Sequence, residues 1–316
     1  MTREAVRWGG AAAALLGLGA ASFALAAIAT ATPEAHVLQY LDALADDDLV
    51  AAARLAGLPS DAPLPLGDDG EPSIVRIIER IDSAGGTARV LAEYGTEQDA
   101  VTAVFTLEPG PAHLGIVPVW QFARPPVTTA TVGVDQHDRV RVNGVLAQTP
   151  EAGEAVSLAV FVPSLVTARV VEPHVQAAPV SRRVDGSTAT TIELEAETTA
   201  LLQRVVALEV EQFLLDCTEQ RVLLPTGCPF GRTVTERVVD LPLWQLVAGP
   251  DLEIVPGHAP GRWSVIGEAE LRLTAQVQRL RDGRLSDLDE TVTANLSGEV
   301  VLTPDGPELT IYPPPD

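Results

Sequence analysis

The chain has 316 residues, enough for two domains with a short module between them, and 46% are hydrophobic, the ordinary share of a folding chain. Acidic residues outnumber basic ones 43 to 21, for a formal net charge of −22 at pH 7, and every basic residue is arginine. Such a surface repels phosphate backbones and anionic headgroups, which excludes nucleic-acid binding; the acidic excess reads first as solubility and second as affinity for cations or basic partners.

Residues 1–8 hold Arg3 and Arg7 and read as a cytoplasmic stub, whereas residues 9–31 carry no charge. As a helix, that uncharged run would measure roughly 34 Å, enough to cross the hydrocarbon core of a bilayer. Positive charge precedes it and the first charge beyond is Glu34, which places the amino end in the cytoplasm and everything from residue 32 outside. The expectation is a single-pass plasma-membrane protein with an extracytoplasmic C-terminus, the membrane being a partner through residues 9–31. The alternative is secretion after cleavage near Ala31, because Ala27-Ile28-Ala29 and Ala29-Thr30-Ala31 both fit the small-residue pattern of a signal peptide.

Residues 32–126 read as an α+β domain. A helical pair spans 34–57, with Val37, Leu38, Leu41 and Leu44 on one face and Gly57 at the end. Between the two helices stand Asp46, Asp47 and Asp48, whose carboxylates are better explained as caps for the second helix than as metal ligands. The Pro-, Gly- and Asp-rich stretch 58–72 is loop. Ser73 then opens a short predicted helix, with Ile74, Ile77, Ile78 and Ile81 as its apolar stripe. Strands follow over 87–94, 100–107 and 114–122, and Pro125-Pro126 closes the domain.

Residues 127–180 show no helix signal, only short apolar runs, with Asn143-Gly144 as a hairpin turn between two of them. This is a small all-β module. Residues 181–316 read as a second α+β domain. A helix over 199–218 lines up Leu202, Val206, Val210, Phe213, Leu214 and Cys217, and from Trp263 to Val277 every odd residue is apolar or Gly. After a turn at 281–284 the return strand carries Leu288, Val292, Ala294, Leu296, Val300 and Leu302 on its inner face, and Asp305-Gly306 turns the chain into a last strand. Strands of that length bend, with Gly267 and Gly298 as the expected places. The helix laid across the long curved hairpin would make a half-open cone. A short echo links Val117-Pro118-Val119-Trp120 with Leu241-Pro242-Leu243-Trp244; if it reflects duplication, both tryptophans are core residues.

Cys217 and Cys228 are the only cysteines, and outside the cytoplasm an even pair reads as a structural disulfide. The five histidines (His36, His113, His137, His174 and His258) stand singly, without metal-ligand spacing. No nucleophile elbow or dinucleotide fingerprint is present, and without lysine a phosphate-binding Walker loop or Schiff-base chemistry is excluded. Asp68-Asp69-Gly70 and Asp287-Leu288-Asp289-Glu290 lack the ligand periodicity of a calcium loop and read as turn and strand-end solvation. No catalytic residue, cofactor or metal site is assigned. The pocket candidates are Glu93, Tyr94 and His113, which the open end of the first cone would bring together; exposed strand residues are the competing reading.

The segment Tyr40 to Asp48 followed by 49–57 and strands resembles the opening of NTF2-like domains. Arg141-Val142-Asn143-Gly144 with Phe161-Val162-Pro163 resembles the middle module of teicoplanin-resistance-associated envelope proteins, and the Gly227-Cys228-Pro229-Phe230 segment is similar to one in actinobacterial membrane-anchored proteins. The resemblance implies an anchored envelope protein with NTF2-like outer domains and brings no catalytic residues. Three functions follow as expectations. The first is a non-catalytic binding or scaffold protein that takes an envelope protein or wall component; the others are an NTF2-like pocket enzyme, hydrolase or isomerase, and a mechanical spacer.

Overall fold

The computed structural model describes residues 32–83, 85–113, 117–303 and 305–313, with the backbone alone described at 112, 113, 117 and 118. In chain order the elements begin with helices α1 (Pro33–Ala45) and α2 (Leu49–Leu55), then strands β1 (Ile74–Asp82), β2 (Ala88–Gly95), β3 (Val101–His113) and β4 (Val117–Phe122). The middle holds β5 (Val127–Val134), β6 (Arg139–Val142), β7 (Val145–Gln148), β8 (Ala155–Phe161), β9 (Ser164–Val171), β10 (Val175–Val184), β11 (Thr190–Leu194) and β12 (Glu197–Thr198). Helix α3 (Ala200–Thr218) precedes β13 (Arg237–Val238), β14 (Leu243–Pro256), β15 (Arg262–Gln278), β16 (Leu285–Thr303) and β17 (Gly306–Ile311).

Strands take 51% of the described residues and helices 14%, so the fold is mostly β and the expected α+β class, with its two NTF2-like helix-on-sheet domains, is corrected. Part of the physical reason lies in β1. Its isoleucines have helical spacing, but a register shift between Ile77 and Glu79 breaks the strand's alternation and mimics that spacing. Ile and Val are stiff at χ1 and favour a pleated surface, and pairing with β2 decides the outcome. The expected transmembrane segment 9–31 lies outside the described residues. Among the described residues no helix is long and apolar enough to cross a membrane, and the single-pass plasma-membrane assignment is corrected on that finding.

Two compact units divide the chain, one comprising residues up to 132 with 157–167 and 181–192, the other 133–156, 168–180 and 193 onward. In the first unit, β1 to β4 form an antiparallel meander in sequence order. Thr32 caps α1 through a hydrogen bond from Ala35 N at 3.2 Å, and Asp48 caps α2 through one from Ala51 N at 2.9 Å. The aspartate run therefore ends in a cap, as its chemistry predicts. Helix α1 buries Val37, Tyr40, Leu41 and Leu44 together with Val90, Phe105, Leu107 and Phe122 of the sheet. The Tyr40 ring meets Phe105, Phe122 and Phe161 edge-on, at 6.0, 5.2 and 6.2 Å between centroids. Its hydroxyl donates to the carbonyls of Val162 at 2.9 Å and Pro126 at 3.2 Å, so this buried phenol is satisfied.

In the second unit, β14, β15, β16 and β17 form a long antiparallel ribbon in which Trp263 pairs with Val300, Ala269 with Ala294 and Leu271 with Val292. The odd residues Trp263, Val265, Ala269, Leu271, Leu273, Ala275 and Val277 are buried, the face that the alternation marks. Helix α3, capped by Thr199 at Leu202 N, lays Leu202, Val206, Val210, Leu214 and Cys217 against β14 and the ribbon. At Gly267 and Gly298 the backbone of a neighbouring strand comes so close that any Cβ would strike the carbonyl of Asp251 or Thr310. Cys217 and Cys228 form a disulfide with Cα atoms 5.9 Å apart. Trp244 is buried against Phe230, whereas Trp120 is only half-buried, so the two members of the sequence echo differ in environment.

Candidate functional site

Glu93 and Tyr94 are consecutive on β2 and therefore point to opposite faces. Glu93 pairs with Arg76 at 2.5 Å on the solvent side. Tyr94 is fully buried. Strand register separates the third candidate from both: Tyr94 pairs with Val101 at the start of β3, while His113 ends that strand opposite Val117. At about 3.3 Å per residue the two ends of β3 lie roughly 40 Å apart, so the three do not form one pocket.

Tyr94 instead belongs to a polar cluster that local sequence does not announce. Asp68, with a side chain only 1% exposed, accepts from Tyr94 Oη at 2.9 Å, Gly70 N at 3.3 Å, the amide of Leu165 and Arg183 Nη1 at 3.0 Å. The Arg183 side chain, 6% exposed, sends Nη2 to Asp99 at 2.7 Å and places its guanidinium 5.8 Å from the centre of the Tyr94 ring. Burial, and then the Asp68 carboxylate, pushes the Tyr94 phenol well above its ordinary range, so it stays a donor. The Thr96 hydroxyl first, then its amide and Arg183, hold the Asp99 carboxyl down at about 2. The expectation that Asp68-Asp69-Gly70 merely solvates a turn is corrected: Asp68 is a buried anchor tying the 66–70 loop to β9, β2 and β10. The charges of the cluster are paired within it, and Arg183 Nε alone of its buried polar atoms is unpartnered among the described residues, which makes it a staple and not a receptive site.

A concave surface lies in the second unit. A cleft of about 590 Å³ opens where the β5–β6, β9–β10 and β14–β15 turns meet the end of β16. Gln136, His137, Arg139, Glu172, His174 and Arg262 are among its lining residues. Gln136 takes a left-handed backbone (φ 51°), which turns the chain sharply before β6, and its amide reaches the Gly257 carbonyl at 3.4 Å. Gly153 supports this bend by donating to the Val134 carbonyl at 3.1 Å, with φ 80°, where a side chain would be strained. Arg139 pairs with Glu172 at 3.6 Å, Gln148 donates to Asp138 at 3.3 Å, and Arg262 pairs with Glu299. The charges of the cleft therefore compensate one another locally. What remains is a concave surface on which these paired polar groups alternate with apolar ones such as Pro173, Val175 and Pro260.

His137 lies beneath that surface, 7% exposed, with Nε2 unpartnered among the described residues. Burial lowers its pKa below the ordinary 6.5; Asp138 and Glu172 oppose that shift, and Arg139 adds to it. His36, half-buried and edge-on to Phe122 with its Nε2 on the Leu55 carbonyl at 3.1 Å, is also lowered, by burial first. The unfolded chain thus takes up protons on these rings at a higher pH than the folded one. Stability should be full above about pH 6.5 and decline as pH falls from there through the lowered folded-state values. Melting temperatures measured over that range should show the decline, and His137→Gln should flatten part of it. An unchanged profile in that variant would remove His137 from the account.

No family model matches the chain, and no curated protein matches it. Among solved structures it is similar to an Ntf2 like protein involved in plasmid conjugation, at 10% identity over 77% of this chain and 78% of the other, with a TM-score of 0.20. A TM-score of that size carries no argument about architecture or activity.

Proposed function

We propose that this chain is a non-catalytic binding protein of the extracytoplasmic cell envelope, and that the cleft of the second unit holds its ligand, a polar wall component or a segment of an envelope protein. The carrying observation is the cleft itself, concave, of mixed polar and apolar lining, and charge-compensated through Arg139–Glu172 and Arg262–Glu299. The Cys217–Cys228 disulfide supports an oxidising compartment. The resemblance of Arg141-Val142-Asn143-Gly144 and Phe161-Val162-Pro163 to envelope proteins supports the same setting.

Soluble wall glycopeptides and short peptides should raise the melting temperature of the full chain, and Arg139→Glu should abolish the shift, since it sets two carboxylates against each other at the cleft wall. A photo-crosslinker at Gln148, on the lip, should capture more envelope material in cells than one at the exposed Arg281. If no compound shifts the melting point and the two positions capture equally, the cleft is not the binding site.

A further inference from the structure

We propose that the chain pairs with a second copy of itself through the outward face of α3, the two helices running antiparallel about Leu208. The helix has two apolar faces. Leu202, Val206, Val210, Leu214 and Cys217 are buried within their own unit. Diametrically opposite, Leu201, Leu208 and Leu215 are 41%, 66% and 41% exposed. A helix that is apolar on both sides is normally buried on both, and leucines seven residues apart form the seam of a helix pair.

The flanking charges select the occupant and its direction. At about 100° per residue, Arg204 and Glu211 fall on one flank of the leucine seam, three to four residues either side of Leu208. Neither makes an ion pair within the chain among the described residues. A parallel pair would set this flank against the opposite flank of the other copy, leaving Glu211 between the like charges of Glu209 and Asp216. In an antiparallel pair Leu208 meets its own copy, Leu201 meets Leu215, and each Arg204 faces Glu211 of the other copy, giving two equivalent ion pairs. On the other flank Glu209 lies beside its own copy across the two-fold axis, one exposed like-charge contact that solvent screens, against the two ion pairs. The seam is thus complementary to itself, as a two-fold interface requires. One helix face buries less than the roughly 1,200 Å² of a stable complex, so the dimer is weak and reversible. The net charge of −22 opposes association, but at physiological salt it is screened beyond about 8 Å.

Sedimentation velocity on the full chain across the micromolar range should show a reversible monomer–dimer equilibrium. Leu208→Glu should weaken it at least about tenfold without lowering the melting temperature, because the side chain is exposed. Arg204→Glu and Glu211→Arg should each weaken it, and the doubly swapped variant should recover it. Leu208→Cys should cross-link to its copy under oxidation, and Leu215→Cys should not. A parent that stays monomeric, a Leu208→Glu variant that still dimerises, a doubly swapped variant that fails to recover, or equal cross-linking at 208 and 215 would each overturn the proposal.

Discussion

Arg183→Met should destabilise the first unit by about 3–5 kcal/mol, the penalty for leaving one member of a buried ion pair without its partner. Asp68 would keep its bonds from Tyr94, Gly70 and Leu165 but would hold an uncompensated negative charge at a site almost without solvent. Asp99 would lose less, because about a third of its side chain reaches water and Thr96 still donates to it twice. The bidentate Arg272–Asp289 pair offers the contrast: it has shorter bonds but stands in water, where solvent screens it, so Arg272→Met should leave stability nearly unchanged. Hydrogen exchange read peptide by peptide separates the two units, and the Arg183 effect should appear in peptides covering 66–70, 90–99 and 160–167. Adding Asp68→Asn to Arg183→Met should return part of the loss, since the neutral amide carries no buried charge. A loss below about 1 kcal/mol in the single variant would mean that water reaches the cluster and that it does not act as a staple.

The same contrast explains which parts of the molecule are legible in the sequence. Where one chemical pattern controls one local structure, reading succeeds. The alternation from Trp263 to Val277 matches the buried face of β15 at every odd residue but Gly267, because one face of that strand meets the core. Asn143 and Gly144 both take left-handed backbones (φ 47° and 78°), as a two-residue hairpin turn between β6 and β7 demands. Helix α3 falls within a residue of its expected span because Thr199 caps it and its apolar stripe is long. Reading fails where distant segments decide. The isoleucines of β1 carry a helical spacing that only the bulge against β2 explains. Asp68 and Arg183 are 115 residues apart, and no local pattern in either segment announces the other. The cleft is assembled from four turns and strand ends, and its histidines, lone in sequence, gain meaning only from that assembly. Tyr94, a pocket candidate by sequence, is a buried donor to Asp68, and strand register carries His113 to the far end of β3.

Loss of the disulfide, by reduction or in a Cys217→Ala/Cys228→Ala variant, should cost the second unit about 3 kcal/mol, the loop-closure entropy returned to an unfolded chain freed of a short cross-link. The bridge spans 11 residues of sequence and joins the last turn of α3 to a segment without regular structure. That segment has few anchors of its own: Gln220 and Thr226 exchange hydrogen bonds at 2.9 and 3.2 Å, and Arg232 N donates to the Leu223 carbonyl at 2.8 Å. It also covers Trp244, whose indole N–H donates to the Val222 carbonyl at 2.8 Å and whose ring packs 4.8 Å from Phe230. Without the bridge the segment should open before the ribbon does, because β14, β15 and β16 are paired along their length and the segment is not. The expected signs are a red shift of tryptophan emission and new protease cleavage between 220 and 236, both at temperatures where hydrogen exchange in β15 is still slow. If emission, cleavage and stability all match the oxidised parent, the local bonds around Gln220 and Trp244 suffice to hold the segment. The cystine would then report the compartment in which the chain folds and nothing about what keeps it folded.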